Sequence, residues 1–104
     1  MRGRQLILPE RRRRIPESFS WVDHRLVRER HVDRCSPPAL ALYLFLVTVA
    51  DADGLSWWSD EALGRRLRLE PSWLNTARAE LEDAGLAVYE RPVYQVLDLG
   101  GGAP

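Results

Sequence analysis

GLSWWSDEALGRRLRLEPSWLNTARAELEDAGLAVYERPVYQVLDL, residues 54–99, is the stretch that decides the fold. Its centre, SWLNTARAELEDAG, puts Leu74, Ala77, Leu81 and Ala84 on one stripe at helical spacing, and Gly85 follows as the expected stop. A helix over 72–84 is predicted. Before it, Ser59 caps DEALGRRL, whose Asp60 and Glu61 sit favourably at a helix N-terminus and whose Leu63 and Leu67 share a face. The interruption RLEP separates the two helices. After Gly85, LAVYE and VYQVLDL alternate apolar and polar residues on either side of Arg91-Pro92, the pattern of a hairpin. LSWW at 55–58 reads as a brief strand. Trp57 and Trp58, being adjacent in extended chain, must point to opposite faces.

Working outward, CSPPALALYLFLVTVADADG predicts a long helix. Ser36 is its N-cap, Pro37 and Pro38 occupy the opening turn, and it runs to about Ala52 before the Asp53-Gly54 turn. Its apolar residues cover nearly the whole circumference, which marks a central helix packed on several sides. The segment is too short for the roughly 20 residues of a membrane span. Upstream, Phe19, Val22, Leu26 and His31 recur at near-helical spacing, so a first helix near 20–30 is expected, with Ser20 as a cap. Pro16 begins the folded part, and 100–104 is a flexible tail.

The 104 residues suit one domain with a modest core. The formal net charge of zero conceals an asymmetry. Residues 1–14 hold six arginines and one acid (6 − 1 = +5), whereas 15–104 hold nine arginines and fourteen acids (9 − 14 = −5). A basic arm over 1–15, expected to be mobile in isolation, is joined to an acidic body. A lone cysteine, Cys35, cannot form an internal disulfide, and no secretory signal is visible, so a reducing, cytoplasmic setting is expected.

The order of helix, long helix, short strand, helix, turn, helix and hairpin over about 36–99 resembles the winged helix-turn-helix family. AELEDAGLAVYE in particular is similar to the end of a recognition helix and the start of a wing. The fold class so implied is α/β, mostly α, with three to four helices, a short strand and a C-terminal hairpin wing. The function the resemblance implies is binding of double-stranded DNA by a small regulator, or by a replication or mobile-element accessory protein. The second helix of the pair would enter the major groove and the wing would touch the backbone.

Carried over by position, the groove-facing residues are Ser72, Asn75 and Thr76. Asn75 is expected to pair with adenine, and Ser72 and Thr76 to reach phosphate. Arg65, Arg66, Arg68, Arg78 and Arg91 would contact phosphates around the rim, and Arg11, Arg12, Arg13 and Arg14 would anchor the arm in an adjacent minor groove. Glu80, Glu82 and Asp83 oppose this reading. A homodimer reading two half-sites is the expected assembly, with Leu6, Ile7 and Leu8 of the arm as the candidate contact. The rival is a protein-interaction winged helix using its acidic face and an exposed tryptophan.

Trp73 is expected to brace the two helices, and Tyr89 and Tyr94 to form a cross-strand pair. His24, His31 and Cys35 would align only on an unbroken helix, so no metal is predicted. Neither an activated nucleophile nor a glycine-rich phosphate loop is present, and no enzyme, cofactor, membrane or small-molecule ligand is expected.

Overall fold

A computed structural model describes residues 4–100. The described residues are mixed α/β and mostly helical, with four α-helices and a three-stranded antiparallel sheet. The helices are α1 (Arg25–Arg28), α2 (Pro37–Val49), α3 (Asp60–Leu67) and α4 (Pro71–Asp83). The strands are β1 (Leu55–Trp57), β2 (Ala87–Glu90) and β3 (Val93–Val96), in spatial order β1-β3-β2.

The α3–α4 pair forms for the reasons its sequence suggests. The Ser59 hydroxyl accepts from the Ala62 amide at 3.1 Å, capping α3. Leu63, Leu74, Ala77, Leu81 and Ala84 are buried in a common core with Leu42 and Leu46 of α2. Gly85 closes α4 at φ +73, with the Leu86 amide bonded to the Leu81 carbonyl and the Gly85 amide to that of Glu82. This is the paired-bond helix stop that a left-handed glycine permits. The chain then enters the β2–β3 hairpin, which turns at Arg91-Pro92. Tyr89 and Tyr94 face each other across it with ring centroids 4.3 Å apart.

Helix α2 packs chiefly on α4. Ser36 caps it, accepting from the Ala39 amide at 3.4 Å. It stops at Val49 rather than Ala52, because the Asp51 carboxylate accepts from the Asp53 and Leu55 amides and winds 51–55 into a turn. It is not surrounded either: Ala39, Leu42, Tyr43 and Leu46 are buried, but Leu44 faces outward.

The expected first helix is the largest departure. Only Arg25–Arg28 is α-helical, and a 3-10 turn at His31–Arg34 follows after Arg30 adopts a left-handed conformation. Asp23, not Ser20, organises its start, its carboxylate accepting from the Arg25 amide at 2.8 Å. Phe19 and Val22 are exposed, so their spacing marks no buried face, and the first buried side chain is Leu26. Leu6, Ile7 and Leu8 are also exposed and form no strand. The predicted tail falls mostly outside the described residues. Among the described residues, no helix is long and apolar enough to cross a membrane.

Candidate nucleic-acid interface

The two helices remain distinct, and the side of α4 opposite its buried stripe is left in water. Ser72, Asn75, Thr76 and Ala79 are all exposed along it. The side chains are small, so a partner surface can approach the helix backbone closely. The Thr76 hydroxyl donates back to the Ser72 carbonyl at 3.1 Å, leaving its methyl group and oxygen lone pairs outward.

Arginines flank this side unequally. Arg68 is exposed in the turn between the helices, in a left-handed conformation at φ +57 that a non-glycine residue adopts at some energetic cost. Arg91 is exposed at the hairpin tip. Neither has an ion-pair partner among the described residues. Arg65 is exposed and pairs with Glu61 one turn back at 3.2 Å, a surface pair that holds it only weakly. Arg66 lies 5.9 Å from the Phe45 ring centre and 5.8 Å from that of Trp58, over an edge-to-face aromatic pair. That stacking presents its guanidinium in a fixed place.

Arg78 is different. Its side chain is only 12% exposed. Nη1 donates to Asp60 at 2.8 Å and to the Tyr94 hydroxyl at 2.8 Å, while Nη2 donates to Asp60 at 3.3 Å and to the Asn75 carbonyl oxygen. The guanidinium also lies 4.7 Å above the Tyr89 ring. All four terminal N–H groups are therefore engaged. Burial disfavours its charge, but the Asp60 and Tyr94 bonds outweigh that and hold the guanidinium above its ordinary value. Burial likewise raises the Tyr94 phenol, with Arg78 opposing. Arg78 thus ties α3, α4 and β3 together, and a phosphate would have to displace Asp60 to reach it.

Of the three opposing acids, Glu80 is similarly engaged within the protein. Asp60 is held by Arg78, and a Glu80 carboxylate oxygen accepts from the Ser36 amide at 2.6 Å, tying α4 to the start of α2. Only Glu82 and Asp83 of α4 remain exposed as acids. These roles are invisible in periodicity, because the partners lie 18 and 44 residues away in the chain. Trp73 does not sit between the helices; it is 52% exposed at the first turn of α4. Of the adjacent pair, Trp58 packs on Phe45 while Trp57 is exposed.

Arg11 to Arg14 are exposed, and the root of their arm is tied near the end of α2 and to Gly100. The Ser20 hydroxyl donates to the Thr48 carbonyl at 3.4 Å, and Arg25 donates to the Gly100 carbonyl at 3.0 Å. That root borders an open cavity of about 420 Å³ lined in part by Asp23, Asp51, Asp53 and Asp98.

His24, His31 and Cys35 do not share a helix, since α1 ends at Arg28 and the chain reverses at Arg30. Burial raises the Cys35 thiol, with Glu80 adding to the effect and Arg34 opposing it. Such a thiol is a poor nucleophile. Comparison with protein-family models, curated proteins and solved structures returns no match, so geometry alone carries the functional reading.

Proposed function

We propose that the chain is a winged helix that binds double-stranded DNA without catalysing a reaction, with α4 as the recognition helix and the β2–β3 hairpin as the wing. The observation that carries this is the exposed, small-residue side of α4, together with exposed Arg65, Arg66, Arg68 and Arg91 on the helix, turn and hairpin that precede and follow it in the chain. A helix with such a side can lie in the major groove while surrounding arginines meet phosphates. Arg78 is removed from the phosphate contacts and becomes the brace that sets the wing against α4. The hydrogen bond that Glu80 accepts from the Ser36 amide also turns that carboxylate inward and lessens the repulsion the sequence implies.

Binding on this reading depends strongly on the arm, because the body carries excess acid. Leu6, Ile7 and Leu8 offer apolar surface to a second copy, which would supply a second half-site. The unpaired thiol suits a reducing, cytoplasmic setting.

Fluorescence anisotropy with a duplex of about 20 base pairs, repeated across a salt series, tests the proposal. If Arg11 to Arg14, Arg65, Arg66, Arg68 and Arg91 all touch phosphate, the log–log slope approaches about −7. Arg65→Ala with Arg66→Ala should weaken all duplexes alike and reduce the slope by up to about 2. Absence of binding at low salt, or binding indifferent to salt, would count against the reading.

A protein-interaction role has its own observation. The outer sheet face carries exposed Trp57 and Val88, and Glu82 and Asp83 remain exposed on α4. Trp57→Ala should leave duplex affinity unchanged if DNA is the partner.

A further inference from the structure

Asn75 occupies the centre of the exposed side of α4, where an unrestrained asparagine would offer both a donor and an acceptor. Here its orientation is fixed from behind. Arginine can only donate, so the Asn75 atom that meets Arg78 Nη2 must be the carbonyl oxygen, whichever way the amide is drawn. The guanidinium cannot readily turn away, because its other terminal N–H groups are held by Asp60 and Tyr94. The carboxamide oxygen is therefore drawn inward against a fixed cation, and the NH₂ group is left to face outward.

Resting on the duplex reading above, we infer that Asn75 acts as a hydrogen-bond donor in the major groove and selects guanine over adenine at the base it faces. The usual asparagine–adenine pair needs the amide oxygen to accept from adenine N6 while the nitrogen donates to N7. With the oxygen held by Arg78, only the donating half is available. Guanine presents two acceptors, N7 and O6, to that group, whereas adenine presents one acceptor beside an N6 donor that the NH₂ group opposes. Arg78 is thus a positioning residue for specificity: it does not meet the base, but it decides which end of Asn75 does. Thr76 beside it offers an acceptor and a methyl group, because its own proton is bonded to Ser72.

Selection from a random duplex pool gives the preferred site, and measurement of its affinity with Asn75→Asp follows. This change is nearly isosteric and keeps an oxygen for Arg78, so the melting temperature should stay within about 2 °C. It removes the outward donor, and duplex affinity should fall about tenfold or more. In the selected site, 7-deazaguanine at the faced position should weaken the parent about fivefold and the variant less than twofold. A parent that selects adenine there, or an Asn75→Asp variant with unchanged affinity and base preference, overturns this inference alone. A parent that binds no duplex overturns the proposed function together with it.

Discussion

Replacing Arg78 with methionine removes a side chain whose hydrogen bonds join α4 to α3 and β3 while keeping an apolar stem of similar length. Its cost can be worked from the partners left behind. The Tyr94 hydroxyl belongs to a residue that is 1% exposed, so losing its donor strands a buried polar group, at about 1–3 kcal/mol. Asp60 is about half exposed and regains water, so that pair contributes only about 0–1 kcal/mol. The contact over Tyr89 adds about 0.5–1 kcal/mol. The sum is about 1.5–5 kcal/mol, a large part of the stability of a domain this small. Urea denaturation followed by tryptophan fluorescence measures it. Tyr94→Phe alone removes the same hydroxyl and should cost about 1 kcal/mol. Because Arg78→Met already breaks that bond, the double variant should cost clearly less than the sum, with a coupling of about 1 kcal/mol. Strict additivity, or an Arg78→Met loss below about 1 kcal/mol, would refute the brace.

Gly64 lies inside α3, where alanine normally stabilises by about 1 kcal/mol, but an added Cβ would meet the Leu69 carbonyl oxygen at 2.9 Å. Gly64→Ala should therefore lower stability by about 1–2 kcal/mol in thermal denaturation, and a gain would show that the α3–α4 turn yields freely. The Ser56 hydroxyl is buried without a partner among the described residues, so Ser56→Ala should leave stability unchanged or raise it by about 1 kcal/mol. Hydrogen bonds donated by the Arg25 side chain and amide hold the Asp23 carboxyl below its ordinary value. A group lowered in the folded state contributes stability above its unfolded pKa and loses it as pH falls through the lowered one. The Asp23→Asn variant should accordingly lose less stability than the parent below about pH 4, and parallel acid limbs would contradict this.

The α3–α4 unit was legible because its signals are local. Leu74, Ala77, Leu81 and Ala84 are spaced by the helix itself, and Ser36, Ser59 and Gly85 act within a turn of where they stand. The alternation of β2 and β3 placed Tyr89 opposite Tyr94 for the same reason. Where the sequence misled, the deciding partner was distant. Arg78 and Glu80 lie at the edge of the buried stripe, and charged residues there ordinarily read as solvated. Only folding reveals that Asp60, Tyr94 and the Ser36 amide stand opposite them. An arginine one residue beyond a buried alanine, with a tyrosine on the inward side of the following hairpin, was the available hint. The segment before Leu26 misled for the opposite reason: its aromatic and aliphatic residues mimic a helical stripe but stay largely exposed, outside the buried core. Trp73 shows the same limit, since proximity to a buried stripe did not place it in the core.

Titrating the ¹⁵N-labelled chain with duplex DNA and following backbone and side-chain amide shifts residue by residue tests the central claim most directly. The largest changes should fall on Ser72, Asn75, Thr76, Arg65, Arg68 and Arg91, with the Asn75 NH₂ signals among them. Changes confined to Trp57, Val88 and the outer sheet face, or no change at low salt, would contradict the assignment of α4 as the duplex-facing helix.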